Sequence, residues 1–174
     1  MNNSNDIANL IQKAKLLKDQ ENFEKALEIL NELYEKFPES EDIKKNLIDT
    51  LFLYGGYLND DYTLEYEKAK SIFERIINLS SKNYRAHYNL GIAYFNLKDL
   101  KNSKKCFNKA LRIKPDYKYC FYNLGLIYES LKKYEKALKY YELALEIDPD
   151  FTYALSAQNQ LRKKIDNIKR IDTK

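Results

Sequence analysis

The sequence predicts an all-α fold built from repeated helix pairs, and three observations carry that expectation. The first is a shortage of turn formers: 174 residues contain 4 Gly and 3 Pro. A chain folded through many tight hairpins needs Gly, Asn-Gly or Pro at most of its turns, so a β-rich fold fits poorly. The second is a period. Pro115 and Pro149 stand 34 residues apart, and Leu90-Gly91, Tyr94, Phe107 and Ala110 recur at that spacing as Leu124-Gly125, Tyr128, Tyr141 and Ala144. The third is helical spacing inside the period. Tyr134, Ala137, Leu138, Tyr141, Ala144 and Leu145 fall on one face of a helix.

Taken in order, residues 1–6 are polar and read as a disordered leader. Residues 7–40 form the first unit, with Ala14, Leu17, Ala26, Leu30, Leu33 and Pro38 on its pattern. Residues 41–83 form the second, with Leu47, Leu51, Ala69, Phe73 and Ile76, and with Ser81 in the place of proline. Pro38 and Pro115 are two periods plus nine residues apart, so this unit holds a nine-residue insertion near 56–65. Gly55 and Gly56 open it, and Tyr57, Leu58, Tyr62 and Leu64 make it apolar for a loop. Residues 84–117 and 118–151 are the third and fourth units. Proline ends the second helix of a pair because it lacks a backbone donor and restrains the residue before it. Ser40, Asp116 and Asp150 follow those turns as expected N-caps. Beyond them Phe151, Ala154, Leu155, Gln158, Leu161, Ile165 and Ile168 keep helical spacing, so 152–174 reads as a capping helix and a basic tail.

The order of a leading aromatic, Leu-Gly, Tyr, a small residue, an aromatic, Ala and Pro resembles the tetratricopeptide repeat. The fourth unit matches with Phe121 and Ala137 at the first aromatic and small places, and the third with His87 and Ser103 there. The resemblance implies a right-handed superhelical solenoid of four antiparallel helix pairs closed by the C-terminal capping helix. It implies a noncatalytic protein–protein interaction scaffold that binds an extended peptide or a partner helix in a concave groove. The first helix of each pair would line that groove, with Lys45 and Asn46 from the second unit. Arg85, Tyr88, Asn89, Ile92 and Phe95 would come from the third, Tyr119, Tyr122, Asn123, Leu126 and Glu129 from the fourth, and Tyr153 and Gln160 from the cap.

Asn46, Asn89 and Asn123 share one place in three units, and an amide in that place can pair with the N–H and C=O of an extended chain. The same asparagines could instead bond only to neighbouring helices. The tyrosines suit a binding surface because they offer much contact area for little rotamer entropy. The chaperone-carboxylate clamp of the family is not matched. Starting from Lys45, Asp49 stands where Asn is required, and Tyr119 and Asn123 stand in the later Lys and Arg places.

Catalytic, cofactor-binding and metal-binding residues are not assigned. Glycine-rich phosphate loops are missing, as are Cys-x-x-Cys and Cys/His clusters. His87, the one histidine, occupies a packing place. Cys106 and Cys120 read as reduced packing thiols, and Asp60, Asp61 and Glu65 lack the alternation of a calcium loop. The polar N-terminus and the lack of an 18-residue apolar run read as cytoplasmic with no membrane partner. The net charge is +4, with 24 charges of each sign in 1–160 and the excess in 161–174. A neutral body argues against a nucleic-acid partner, although an RNA-binding helical repeat remains one alternative. The other alternative is a structural or self-associating module that uses the convex face, the insertion or the ends. A monomer is the expected state.

Overall fold

A computed structural model describes residues 3–60 and 62–172. Among these, the regular elements are nine α-helices: α1 Asn3–Asp19, α2 Phe23–Lys36, α3 Glu41–Leu58, α4 Tyr66–Leu79, α5 Tyr84–Asn96, α6 Leu100–Ile113, α7 Lys118–Ser130, α8 Tyr134–Ile147 and α9 Thr152–Asp172. They form two compact units, Met1–Ala93 and Tyr94–Lys174. In the first unit α1 packs on α2, α2 on α3 and α3 on α4. In the second the order is α6 on α7, α7 on α8 and α8 on α9. Within each unit these helices bury their stripes against neighbours in sequence, which is how stacked repeats share a core.

Small and large residues alternate in that core. Ala14, Ala26 and Ala69 are fully buried beside Leu30 and Phe73, and Ala137 and Ala144 beside Tyr141. The first turn of α1 already belongs to the fold: helix runs through residues 3–6, where a disordered leader is expected, and Ile7 packs against the Ile11–Leu33–Ile43 cluster. Residues 1 and 2 of that leader, Asp61 of the insertion, and 173 and 174 of the basic tail lie outside the described residues. The capping helix uses part of its expected stripe. Phe151, Ala154, Gln158 and Leu161 are buried and Ile165 half-buried, whereas Leu155 and Ile168 are exposed.

The turns inside each helix pair share one device. Glu21, Lys98 and Lys132 end α1, α5 and α7 with left-handed φ values of 58°, 63° and 57°. The next residue in each case, Asn22, Asp99 or Lys133, donates its N–H to the carbonyl of Leu17, Tyr94 or Tyr128 at 2.8–2.9 Å. This is the Schellman closure, and none of the three positions is the glycine that usually serves it. Leu64, with φ 56°, holds the same repeat place ahead of α4.

Between pairs the chain leaves the outer helices through Phe37, Lys114 and Asp148, which precede the three prolines, and the last two are extended. Ser40 caps α3 through the N–H of Ile43. Asp116 lies too early to cap α7, whose N-cap position is Tyr117, and Asp150 lies two residues ahead of α9. The carboxylate and amide caps sit elsewhere, at Asp99 on the N–H of Asn102 and at Asn83 on the N–H of Ala86. The chain takes one more residue to turn than the Pro-Asp spacing suggests.

Two glycines set helix contacts. A Cβ on Gly125 would lie 2.3 Å from Cε1 of Tyr141, and one on Gly55 would lie 2.8 Å from Cζ of Phe73. Gly55 is therefore a helix-contact residue inside α3 rather than the start of a loop. It lies two turns deeper into α3 than Gly125 does into α7, so most of the insertion lengthens α3. Two whole turns return the apolar stripe to the same face, which lets Leu47, Leu51, Tyr54 and Leu58 all be buried. Tyr57 near the end of α3 is exposed, and the turn that follows leaves Leu64 exposed and Tyr62 97% exposed.

A polar staple joins the start of α7 to the end of α8. The Lys118 ammonium donates to Asp148 and lies over the Phe151 ring at 4.8 Å from its centroid. Its bond holds the Asp148 carboxyl below the usual carboxylate value, with help from the Asp150 N–H.

Three variants test this packing. Gly125→Ala should destabilise the chain by about 1–3 kcal/mol, because the Tyr141 ring must move. Gly56→Ala, with no atom within 4 Å of the new Cβ, should stabilise it by about 0.5–1 kcal/mol. Thermal unfolding of the two variants should shift in opposite directions. The depressed Asp148 value means that its stabilisation is present above the unfolded carboxyl value, near about pH 4, and is lost as pH falls through the folded value. Asp148→Asn should lower the melting temperature at neutral pH and flatten its decline below about pH 4.

Candidate functional site

The residues expected to line a groove divide between the two units. In the first unit, Lys45 is exposed and shares a cleft of about 360 Å³ with Glu41, Lys44, Ile48, Asp49 and Ser80. Asn46 donates its amide N–H to the Asp42 carbonyl at 2.7 Å and to Asp42 Oδ1 at 3.2 Å. Asn89 donates to the Arg85 carbonyl at 2.9 Å, and the Arg85 guanidinium covers the Phe52 ring at 5.2 Å. Tyr88 and Ile92 are half-buried.

In the second unit Asn123 is only 6% exposed and donates to the Tyr119 carbonyl at 2.8 Å. All three asparagines thus bond back to the carbonyl four residues earlier in their own helix, a local closure open to short polar side chains on a half-dry face. They do not present equal, outward amides, and Asn123 is part of the core.

Of the remaining residues of the second unit, Tyr122, Leu126, Tyr153 and Phe95 gather around a furrow between α7 and α9, and Tyr119 does not. Tyr122, Leu126, Glu129, Tyr153, Ser156 and Gln160 are among the residues lining a cleft of about 580 Å³. A second cleft of about 340 Å³ takes in Phe95, Ser130, Lys132, Tyr134 and Lys164, and shares Leu126 and Glu129 with the first. The wall from α9 is one helix face. Tyr153, Ser156, Ala157, Gln160 and Lys164 follow i, i+3, i+4, i+7 and i+11, next to the face that packs on α8.

Aromatic rings floor one end. Tyr122 lies 5.9 Å from Tyr141, 5.7 Å from Phe151 and 6.1 Å from Tyr153, centroid to centroid. Tyr119 turns toward Phe151 at 5.3 Å and is not among the residues that line either cleft.

Glu129 stands where the two clefts meet. It accepts from the Tyr141 hydroxyl at 2.8 Å, and Lys164 reaches its other oxygen at 3.8 Å. Burial raises the Tyr141 and Tyr122 phenols, Glu129 adds to both shifts, and both remain protonated donors at neutral pH. Glu129 and Gln160 belong to the groove places expected from the repeat, whereas the roles of Lys164 and Phe151 go beyond them. A signal for Glu129 exists in the sequence: Phe73 and Phe107 give way to Tyr141 at the same repeat place, and a buried hydroxyl needs an acceptor.

His87 is buried with Nε2 3.0 Å from the Ser81 carbonyl, a packing role. Both cysteines are free thiols, and burial pushes Cys120 up to about 12, which leaves it in the unreactive thiol form. Among the described residues no group of three His, Cys, Asp or Glu side chains could hold a metal ion, and no helix is long and apolar enough to cross a membrane.

Comparison with known families matches residues 84–117 and 119–151, and separately 9–40, to the tetratricopeptide repeat. No curated protein matches the chain. Among solved structures, MamA is similar with a TM-score of 0.69 at 19% identity, covering 90% of this chain and 81% of that one. YrrB, described as a repeat protein with an unusual peptide-binding site, is similar with a TM-score of 0.62 at 22% identity, covering 90% and 94%. The first repeat domain of Spaghetti (RPAP3), bound to an HSP90 peptide, is similar with a TM-score of 0.61 at 22% identity, covering 68% and 92%. At these identities the likeness is one of fold. Together with the repeats matched along the chain and the helix pairs that form them, it places this protein in the tetratricopeptide repeat family.

Proposed function

We propose that this repeat protein works as a noncatalytic protein-interaction scaffold, and that the furrow between α7 and α9 takes an extended peptide. The observation that carries this reading is the pair of abutting clefts joined at Leu126 and Glu129. From Tyr153 to Lys164 the α9 wall rises about 16 Å, room for about five residues of extended chain. The Tyr122–Tyr153 end offers rings and a half-buried Leu126 to an apolar or aromatic side chain. Ser156 and Gln160 supply hydroxyl and amide groups along the wall for peptide N–H and C=O.

A peptide-bound relative fold and one with an unusual peptide site support the peptide reading. An acidic chaperone tail fits less well, because Asp49 and Glu41 accompany Lys45 in its cleft. In this reading Lys45, Asn46, Arg85, Tyr88, Asn89 and Ile92 of the first unit are not part of the furrow. The α7–α9 furrow depends on Tyr122, Leu126 and Tyr153, with Phe95 at its far end.

The test is a selection of random 12-residue peptides on the immobilised full chain, followed by fluorescence polarisation with the selected peptides. Tyr153 is 64% exposed, so Tyr153→Ala removes a ring without opening the core. It should weaken binding about tenfold or more, the factor that corresponds to roughly 1.4 kcal/mol. Peptides that bind a natively helical Tyr153→Ala, Gln160→Ala double variant as tightly as the parent would place the binding surface elsewhere.

A further inference from the structure

The near-neutral body of the chain conceals a division of charge. Residues 1–93 hold 12 basic and 16 acidic side chains, and residues 94–174 hold 18 and 10, so the two units carry −4 and +8. Much of each excess lies on one face of one helix. On α2, Glu24, Glu28, Glu32 and Glu35 fall at i, i+4, i+8 and i+11, and all four are exposed. On α6, Lys101, Lys105, Lys109 and Arg112 repeat that spacing and are also exposed. Each cation stands 77 residues after its acid, the same interval that separates Pro38 from Pro115. The two stripes therefore occupy the same place on the outer helices of the first and third repeats. The matching places on α4 hold Glu67, Ser71, Arg75 and Asn78, and those on α8 hold Glu135, Lys139, Leu143 and Glu146, both mixed.

A single charged face is ordinarily a solvated one. Two faces of opposite sign, equal length and identical spacing are complementary surfaces on one molecule, each about 16 Å long. They are little used inside the chain. Glu24 accepts from the Tyr54 hydroxyl at 2.9 Å and from Lys68 at 3.4 Å, and Lys105 donates to Asn102 Oδ1 at 3.3 Å. The other six make no ion pair among the described residues. Like charges four apart on a helix also repel one another, a cost that an opposite partner face would relieve.

We propose that the acidic face of α2 on one copy docks on the basic face of α6 on a second copy. The contact is heterologous, so each bound copy still presents one face of each sign and the association can propagate head to tail. An antiparallel pairing would add favourable helix dipoles to the four charge pairs. Exposed pairs between long side chains are individually weak and are screened by salt, so the assembly belongs to low ionic strength and high protein concentration.

Light scattering on the full chain tests this directly. At about 20 mM salt the mass should rise with concentration above the 20.7 kDa of one chain, and return to it at about 0.5 M. The variant Glu28→Lys, Glu32→Lys, Glu35→Lys carries two basic faces, and Lys105→Glu, Lys109→Glu, Arg112→Glu carries two acidic ones. Each alone should stay at one-chain mass, whereas an equimolar mixture should associate at low salt. A variant that loses its native helical spectrum is replaced by the glutamine version of the same triple, which should also stay at one-chain mass. A wild-type chain that remains a monomer at low salt overturns the proposal, and so does a mixture that does not associate. If such a monomer retains RNA through the α6 lysines, a polyanion is the occupant of that face instead.

Discussion

The contact between the Gly125 backbone and the Tyr141 ring is the point on which the second unit turns. It removes a side chain from α7 and fills the space with an aromatic from α8, so the two helices approach closely along their stripes. That approach carries the Tyr141 hydroxyl to Glu129, and Glu129 in turn meets Lys164 on α9. The missing Cβ on Gly125 thus leads through the Tyr141 ring and Glu129 to the wall of the furrow on α9. The first unit has its own version at Gly55 and Phe73, moved two turns along a longer α3. The lengthening is tolerated because a helix extended by whole turns keeps its apolar stripe on one face.

Tight interhelical packing also explains where polar chemistry is available. Side chains on the packed faces are spent on the fold: His87 on a carbonyl, Asn46, Asn89 and Asn123 on their own helices. What remains for partners lies on the faces beside those stripes. On α9 that is the wall from Tyr153 to Lys164, one residue out of phase with the face that packs on α8. On α2 and α6 it is the outermost line of positions, where the repeat imposes no packing demand and charge can be arranged freely. The modest net charge of the chain says little about such arrangements, since opposite stripes cancel in the sum.

Much of the fold was legible in the residues. The 34-residue period, the prolines after the outer helices and the alternation of small and aromatic residues are local consequences of helix geometry, and geometry repeats wherever the residues do. The candidate site was partly legible. Tyr122, Leu126 and Tyr153 were readable as one surface, because their repeat places imply it. Asn123 was not readable as a buried residue, because its exposure depends on how closely the neighbouring helices pack around α7. The N-caps at Asp116 and Asp150 were misplaced for a related reason: the residues that turn the chain after proline differ in length from those the caps would need.

By itself the sequence determined the helix count, the order of the pairs, the family and the stripes on which the helices pack. These rest on contacts between near neighbours, which periodicity records. Only the tertiary structure decided that the extra residues of the second repeat lengthen α3, that Glu129 joins two clefts, and that the asparagine amides bond back to their own helices with Asn123 buried. Those outcomes depend on distances between helices, which are set by which ring meets which small residue across the pair. A periodic pattern states that such a contact exists, and the packed structure states where it falls.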